Sequence, residues 1–568
     1  MMTHEMPFPK CNTALFFGIK VHRCKWKKKH KPPWWNKIIE VTRRSKMRKW
    51  KKYKMTQDQS DYREYKRSLN KCTNEVRNAR LEYERILAAR IKTDPKRFYA
   101  YVRNNMKVRD TVGPLVNEAG TVVTDESEAA NMLNEYFTSV FTNETMTNLT
   151  SPRQMFEGPQ EEALRKVDTG VENARKQLKQ LKSDKVPGVD NVYPIVLKES
   201  AEELAFPLSL LFTKSMSESA VPEDWKNANV CPIFKKGKRS TPGNYRPVSL
   251  TSKVSKLMEK IIRESVLEHL KRHQLIKDSQ HGFTRGRSCL TNLLEFLEDI
   301  TRYLDEGQPA DVLYLDFSKA FDKVPHMRLN MKIASHGIGG EVGGWIQEWL
   351  NGRKERVALN GSLSEWSSVL SGVPQGSVLG PTLFILYIND IDDSVASRII
   401  KFADDTKIYR QVKSSETAFT LQEDISKLFS WSQDWQMLFN VEKCGCLHLG
   451  RNNAEYDYFL GGEAIRKIEE VRDLGVIINR SLKSSSHCAQ AVKKANRAAG
   501  LIRCTIINKE KSIIIRLYKQ LVRPHLDYCV QAWRPYLQKD IDLIESVQRR
   551  TLKMIPGFEN LTYEERLK

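Results

Sequence analysis

Asp311-Val-Leu-Tyr-Leu-Asp316-Phe-Ser-Lys-Ala-Phe321-Asp322 is an apolar run that ends in an acid. Four apolar residues followed by Asp316 predict a buried strand that delivers a carboxylate at its end. A second stretch, Ile399-Ile-Lys-Phe-Ala-Asp404-Asp405-Thr-Lys-Ile-Tyr409, has two β-rich runs flanking an acidic pair. A hairpin there places Asp404 and Asp405 at its tip. Clustered carboxylates repel one another and need a compensating charge. Oxygen-ligated Mg²⁺ supplies it, two ions roughly 4 Å apart clamping the attacking and leaving oxygens of an in-line phosphoryl transfer. Taken singly, each Asp is equally well read as a turn cap.

Between the acidic stretches lies Ser371-Gly-Val-Pro-Gln375-Gly376-Ser-Val-Leu-Gly380-Pro381, which opens an apolar helix from Leu383 to Ile388. Pro381 in the first turn, with Ser and Gly before it, is a helix-start signal. A Gly-rich turn also lets backbone approach a nucleotide or template strand closely. Further out, 57–106 is patterned as a charged helix that Pro95 interrupts, and a second amphipathic helix is expected over Glu126 to Phe141. Asn143 to Pro159 is polar and turn-rich, the best linker candidate in the first third. Helices then alternate with short β-rich runs to about Asn479, and 486–568 reads as helical and basic. The chain ends inside an apparently helical segment, so its terminus is read as a truncation.

The chain has 568 residues, 40% of them hydrophobic, with a net charge of +24. That length and apolar content exclude wholesale disorder and allow several domains or one multi-lobed enzyme. No run approaches the 18 or so apolar residues of a membrane span. The ten cysteines, with no secretion signal, suggest reduced thiols. Positive charge is concentrated: 15 Lys/Arg stand between Val21 and Lys54 against one acid, Glu40. Trp26, Trp34, Trp35 and Trp50 are interleaved with them. Aromatic faces among cations suit a flexible polyanion, whose bases stack while its phosphates release counterions. The alternative is a solvated tail or a localisation signal. Cys444, Cys446 and His448 could share one strand face, but their spacing departs from C-x₂-C pairs, so zinc is not expected. Gly337-Ile-Gly-Gly lacks the order of a dinucleotide site.

The three sites, in this order, resemble motifs A, B and C of reverse transcriptases. FADD in the third, with SKAFD and GVPQGSVLGP before it, resembles the non-LTR (LINE-type) retrotransposons of the jockey and chicken-repeat groups. Lys185-Val-Pro-Gly188-Val-Asp190, Val230-Cys-Pro-Ile-Phe-Lys235-Lys236, Asn244-Tyr-Arg246-Pro-Val-Ser-Leu250 and Gln280-His-Gly-Phe283 are similar to its earlier motifs. Phe439-Asn440-Val-Glu-Lys443-Cys444 and Asp473-Leu-Gly475-Val476 are similar to its later ones. Pro32-Pro-Trp34-Trp35, Leu521-Val-Arg-Pro-His525-Leu-Asp-Tyr528 and Val547-Gln-Arg-Arg550 extend the resemblance over about 30–568. Asn191-Val192 departs from the Gly-Ile usual after Asp190. Only about thirty residues precede Pro32-Pro-Trp34-Trp35, where such elements carry an endonuclease, so the chain is expected to be the polymerase part alone.

The resemblance implies an α+β right-hand polymerase with a basic, helical N-terminal extension. Its expected parts are a basic, Trp-containing tail (1–55), a helical extension and linker (56–160), fingers (161–300), palm (301–479) and a helical thumb region (480–568). Asp316, Asp404 and Asp405, with the Phe317 carbonyl, would hold two Mg²⁺ ions, Mn²⁺ being the alternative. Lys235 and Arg246 would neutralise the triphosphate of a dNTP. Gln375 and Gly376 would line the nucleotide and template pocket. Phe321 would be a steric gate against a ribose 2′-OH, or else a core aromatic. Lys443 would protonate departing pyrophosphate, or else be a surface lysine. Lys27, Lys28, Lys29, Trp34, Trp35, Arg43 and Arg44 are the candidates for nucleic-acid binding.

The expected function is RNA-directed DNA polymerisation by nucleotidyl transfer, copying element RNA from a DNA 3′-OH at a nick in the target. The implied partners are template RNA, primer and target DNA, dNTPs and an endonuclease supplied separately, with no membrane. The implied location is the nucleus after cytoplasmic synthesis. The rival is a catalytically inactive or domesticated nucleic-acid-binding remnant, which an intact aspartate triad and an uninterrupted frame argue against and the missing endonuclease argues for. A viral RNA-dependent RNA polymerase is a weaker rival, disfavoured by Phe321.

Overall fold

The structure, a computed structural model, describes residues 31–106, 112–117, 119–145 and 149–567. Its elements include, in chain order, helices α1 (Lys37–Thr56), α2 (Gln59–Arg90), α3 (Pro95–Met106) and α4 (Glu126–Thr138). Strands β1 (Ala228–Phe234) and β2 (Tyr245–Leu250) follow, then helix α5 (Cys289–Asp305), strand β3 (Ala310–Leu315), helix α6 (His326–Ser335) and strand β4 (Lys354–Leu359). Helix α7 (Gly380–Tyr387) leads into the hairpin of β5 (Arg398–Phe402) and β6 (Asp405–Gln411). Helix α8 (Ser415–Asp434), strand β7 (Gly445–Leu449) and helices α9 (Ser485–Thr505), α10 (Lys511–Leu517) and α11 (Gln538–Leu552) complete the set. No described helix is long and apolar enough to cross a membrane. The described residues form two compact units, one within 112–474 and 479–481, the other within 31–106, 475–478 and 482–567.

The first unit includes two larger sheets. One has β3 and β6 at its centre, in the order β7-β3-β6-β5, all antiparallel. Val312, Leu313 and Leu315 of β3 are fully or nearly buried, as a central strand covered on both faces requires. Helix α7 is apolar all round and buried along its length, and Pro381 sits in its first turn as expected. The other sheet carries β2-β1-β4, with β1 and β2 antiparallel and β1 and β4 parallel. Helix α4 starts at Asp125, whose carboxylate accepts the N–H groups of Ser127 and Glu128. It covers this sheet through Ala130, Leu133 and Phe137, packed with Val230, Tyr245 and Val357. The helix expected over Glu126 to Phe141 thus stops three residues early, at Thr138.

The stretch 143–159, expected to be a linker, is strapped down where it is described. The Glu144 carboxylate accepts the Met327 and Arg328 N–H groups at the start of α6 and pairs with the Arg328 guanidinium at 3.1 Å. Met155 and Phe156 N–H groups donate to the Ser335 carbonyl. Composition marks a segment as polar, but not whether its polar groups find partners.

The second unit brings 31–106 together with 482–567. Helices α1 and α2 form a hairpin, and the helical run breaks just before Pro95 as expected, Pro95 itself opening α3 where its missing N–H costs nothing. Glu84 of α2 is fully buried. Its carboxylate accepts Arg80 at 3.2 Å, Tyr101 at 2.5 Å, and the backbone N–H groups of Ile507 and Asn508. The extension expected over 56–160 is therefore divided, α2 and α3 lying in one unit and α4 in the other.

Candidate active site

The register of the central sheet aligns the acids. Thr406 pairs with Leu315 across β6 and β3, so one further step sets Asp405 level with Asp316. On the other side of β3, Gly445 pairs with Tyr314, and two residues earlier Lys443 comes level with Asp316. Residues directly opposite on neighbouring strands have Cβ atoms about 5 Å apart. The Lys443 ammonium accordingly lies 3.6 Å from the Asp316 carboxylate. The Asp316 main chain is clamped from the same side. Asn440 N–H donates to its carbonyl at 2.7 Å, Ser318 N–H donates to Leu438, and Phe317 stacks on Phe439 with centroids 4.5 Å apart.

Asp404 stands in the β5–β6 turn, as the hairpin reading expects, and Asp405 pairs with Phe402 at the first position of β6. Burial, then the Asp316 charge, push the Asp404 carboxyl above its usual range. Asp405 keeps solvent access, yet the protein around it and the charges of Asp404, Asp473 and Asp316 raise it to about 6. Lys235 and Arg246 pull in the other direction on Asp404, and Lys235 does so on Asp405. Lys235 itself is lowered by burial and by Arg246 and Lys443, so three cations and three acids share one field. The β1–β2 pair holds the two sheet cations close in register, Ile233 opposite Arg246 and the Lys235 N–H bonded to Asn244.

Oxygen donors carrying excess negative charge fit a hard divalent cation such as Mg²⁺. The fit is one of donor chemistry and charge. Among the described residues, no three carboxylate, imidazole or thiol groups already converge on one point.

A second cluster forms around Gln375. Its side-chain N–H donates to Asp322 at 2.7 Å, and its carbonyl accepts the Ser249 N–H of β2 at 2.7 Å. Gly376 has φ +116, and a Cβ there would lie 2.8 Å from the Ser249 carbonyl, so both conformation and space demand glycine. Phe321 stacks on Phe384 of α7 at 4.4 Å and 15°, and lines one small cavity with Gln375, Arg353 and Glu355. The amide of Gln375 and one face of Phe321 thus already have protein partners.

The structure adds residues to which the sequence assigned no role. Asp473 is buried, accepts Lys407 at 2.6 Å, and lines a cavity of about 200 Å³ with Asp316, Asp405 and Lys443. Gln280 binds the turn that carries Asp404. Both lie in motifs that carry the family resemblance, their only signal in the sequence. His448, weighed as a zinc ligand, instead bonds Asp311 at 2.7 Å, and Tyr458 donates to the same carboxylate.

The expected nucleic-acid residues are placed differently from one another. Trp34 packs edge-on to Tyr101 at 5.9 Å and lies under the Arg80 guanidinium. Trp35 donates its indole N–H to Glu40 at 3.1 Å, and Arg43, Arg44 and Lys31 all pair with the same carboxylate. Arg43 above all holds the Glu40 carboxyl far below its usual range. This ring of partners staples the start of α1. Lys27, Lys28 and Lys29 lie outside the described residues.

One sheet presents acids at a strand end, faced by cations from a second sheet, an arrangement suited to holding a polyphosphate. Residues 233–478 match the family described as reverse transcriptase (RNA-dependent DNA polymerase). Over this stretch the chain is similar to reverse transcriptases, and the relatives it matches are of the non-LTR retrotransposon kind. It is 27% identical over 389 residues to the probable RNA-directed DNA polymerase from transposon X-element of Drosophila melanogaster, covering 66% of this chain and 43% of that protein. The corresponding protein from transposon BS of the same species is 26% identical over 78% of this chain and 51% of its own length. The RNA-directed DNA polymerase from mobile element jockey is 26% identical over 68% and 44%. The chain thus spans about half the length of these relatives.

Proposed function

We propose that the chain is an RNA-directed DNA polymerase that copies retrotransposon RNA from a DNA 3′-OH at a nicked target. The alignment of Asp316, Asp404 and Asp405 at one end of the sheet, faced by Lys235, Arg246 and Lys443, carries this reading. In right-hand terms the β7-β3-β6-β5 sheet is the palm, the β1–β2 region the fingers and the C-terminal helices the thumb. Asp316, Asp404, Asp405 and the Phe317 carbonyl would hold two Mg²⁺ ions. When bound, these supply the positive charge that activates the attacking hydroxyl and stabilises the leaving oxygen.

The residues themselves bind and orient. Lys235 and Arg246 take the triphosphate, because fixed cations aimed at phosphate cost no reorganisation during reaction. Gln375 and Gly376 line the nucleotide and template pocket. Phe321 limits the space at the 2′ position, and Lys443 delivers a proton to pyrophosphate. The work takes place in the nucleus, where target DNA is, after cytoplasmic synthesis.

Primer extension on an RNA template with Mg²⁺ tests the reading. Asp404→Asn keeps size but removes charge, so extension should fall by orders of magnitude while RNA binding persists. Undiminished extension sinks the assignment.

A further inference from the structure

Residues 279–282 run beside β5 as an added edge. Lys401 N–H donates to the Ser279 carbonyl at 2.7 Å, His281 N–H donates to the Lys401 carbonyl at 2.8 Å, and Gln280 bridges Lys401 in parallel. His281 anchors this edge to α5, its Nδ1 lying 2.9 Å from Thr291 Oγ1 and its Nε2 3.1 Å from Glu295. Asn292 of α5 donates to the same Lys401 carbonyl.

The Gln280 side chain points inward and is 1% exposed. Its Oε1 accepts two backbone N–H groups, from Gly282 at 2.7 Å and from Ala403 at 2.9 Å. Ala403 immediately precedes Asp404 and has φ +56, a left-handed conformation that a residue with a Cβ holds only where its surroundings over-determine it. Gly282 lets the two backbones meet, since a Cβ there would lie 2.3 Å from the Ala403 nitrogen. The Gln280 Nε2 has no hydrogen-bond partner among the described residues. The amide is therefore held for its oxygen.

We propose that Gln280 is a positioning residue for nucleotidyl transfer, its side-chain oxygen fixing the Ala403–Asp404 turn so that Asp404 and Asp405 stand level with Asp316. This rests on the polymerase reading above. Removing the acceptor leaves two buried N–H groups unpaired and frees a strained turn to relax. A shift of about 1 Å in groups that align a reaction costs on the order of a hundredfold in rate.

The test compares Gln280→Met, similar in size but without the acceptor, with Gln280→Glu, which keeps an accepting oxygen and exchanges the unpartnered N–H₂ for the second oxygen of a carboxyl group. Hydrogen exchange of the full-length protein reads the turn directly. Gln280→Met should speed exchange in the peptide spanning 399–406 and leave the rest of the chain unchanged, and Gln280→Glu should restore protection. In primer extension Gln280→Met should slow nucleotide addition about a hundredfold and raise the Mg²⁺ concentration for half-maximal rate, with affinity for the RNA–DNA hybrid unchanged. Unchanged exchange at 399–406, or faster exchange throughout the chain, overturns the proposal. If the unaltered protein extends no primer, the polymerase reading fails, while the exchange data still decide whether Gln280 holds the turn.

Discussion

Lys443 Nζ lies 3.6 Å from Asp316 Oδ2, and both side chains are about half exposed. A cation beside an acid at an open strand end is available to solvent and to anything bound there. It is not a buried ion pair kept for stability, since an exposed pair contributes only about 0–1 kcal/mol. Lys443→Ala should therefore leave the melting temperature unchanged and lower the single-turnover extension rate about a hundredfold, the usual scale of general acid catalysis. Lys443→Arg should recover hybrid binding without recovering the rate. A full recovery by Arg assigns Lys443 to charge neutralisation alone.

Phe321 bears on sugar choice. Its ring already stacks on Phe384, so the remaining face is what a ribose would meet. Phe321→Ala should raise ribonucleotide use markedly and change deoxynucleotide use much less, because discrimination is a difference between two transition states. The measurement is kcat/KM for a dNTP and its matching rNTP, unaltered protein against variant. Equal losses on both substrates assign the ring to packing.

Glu355 and Asp322 make stability depend on pH. Burial, then the charge of Asp322, raises Glu355 to about 7, and burial raises Asp322 to about 6. Carboxyls with raised folded-state values bind more protons folded than unfolded between about pH 4 and 7. The slope of unfolding free energy with pH is then negative there, so stability rises as pH falls through this window. Denaturant titrations from pH 7.5 to 5 should show that rise, and Glu355→Gln should flatten it. An equal slope in the variant assigns the effect to other groups.

The two halves of the basic segment should separate experimentally. Trp34→Ala removes a ring packed among Tyr83, Tyr101 and Arg80, and should lower the melting temperature with little direct effect on the salt dependence of binding. Replacing Lys27, Lys28 and Lys29 by Ala should do the reverse. If these lysines neutralise phosphates, the slope of log K against log salt flattens by nearly one unit for each phosphate left without its lysine. An unchanged slope makes them bystanders.

Much of the site was readable in the chain itself because its signals are local. An apolar run ending in Asp316, two β-rich runs around Asp404 and Asp405, and Pro381 before an apolar helix each specify an element from neighbouring residues alone. Where local reading failed, the missing term was a distant partner. Residues 143–159 read as a linker because nothing local reveals that Glu144 meets the N–H groups of α6.

By itself the sequence determined which segments become strands and helices, which of them carry acids and cations, and the family they resemble. Periodicity, turn chemistry and charge act within a few residues and survive in the bare chain. Only the tertiary structure decided the register that sets Lys443, Asp316 and Asp405 level, and the partners of each polar group. Trp34 turned inward to Tyr101, and Gln280 gave its oxygen to the Ala403 turn. Those choices follow from burial, which makes an unpaired donor or acceptor costly, and the partner is chosen by the folded chain as a whole.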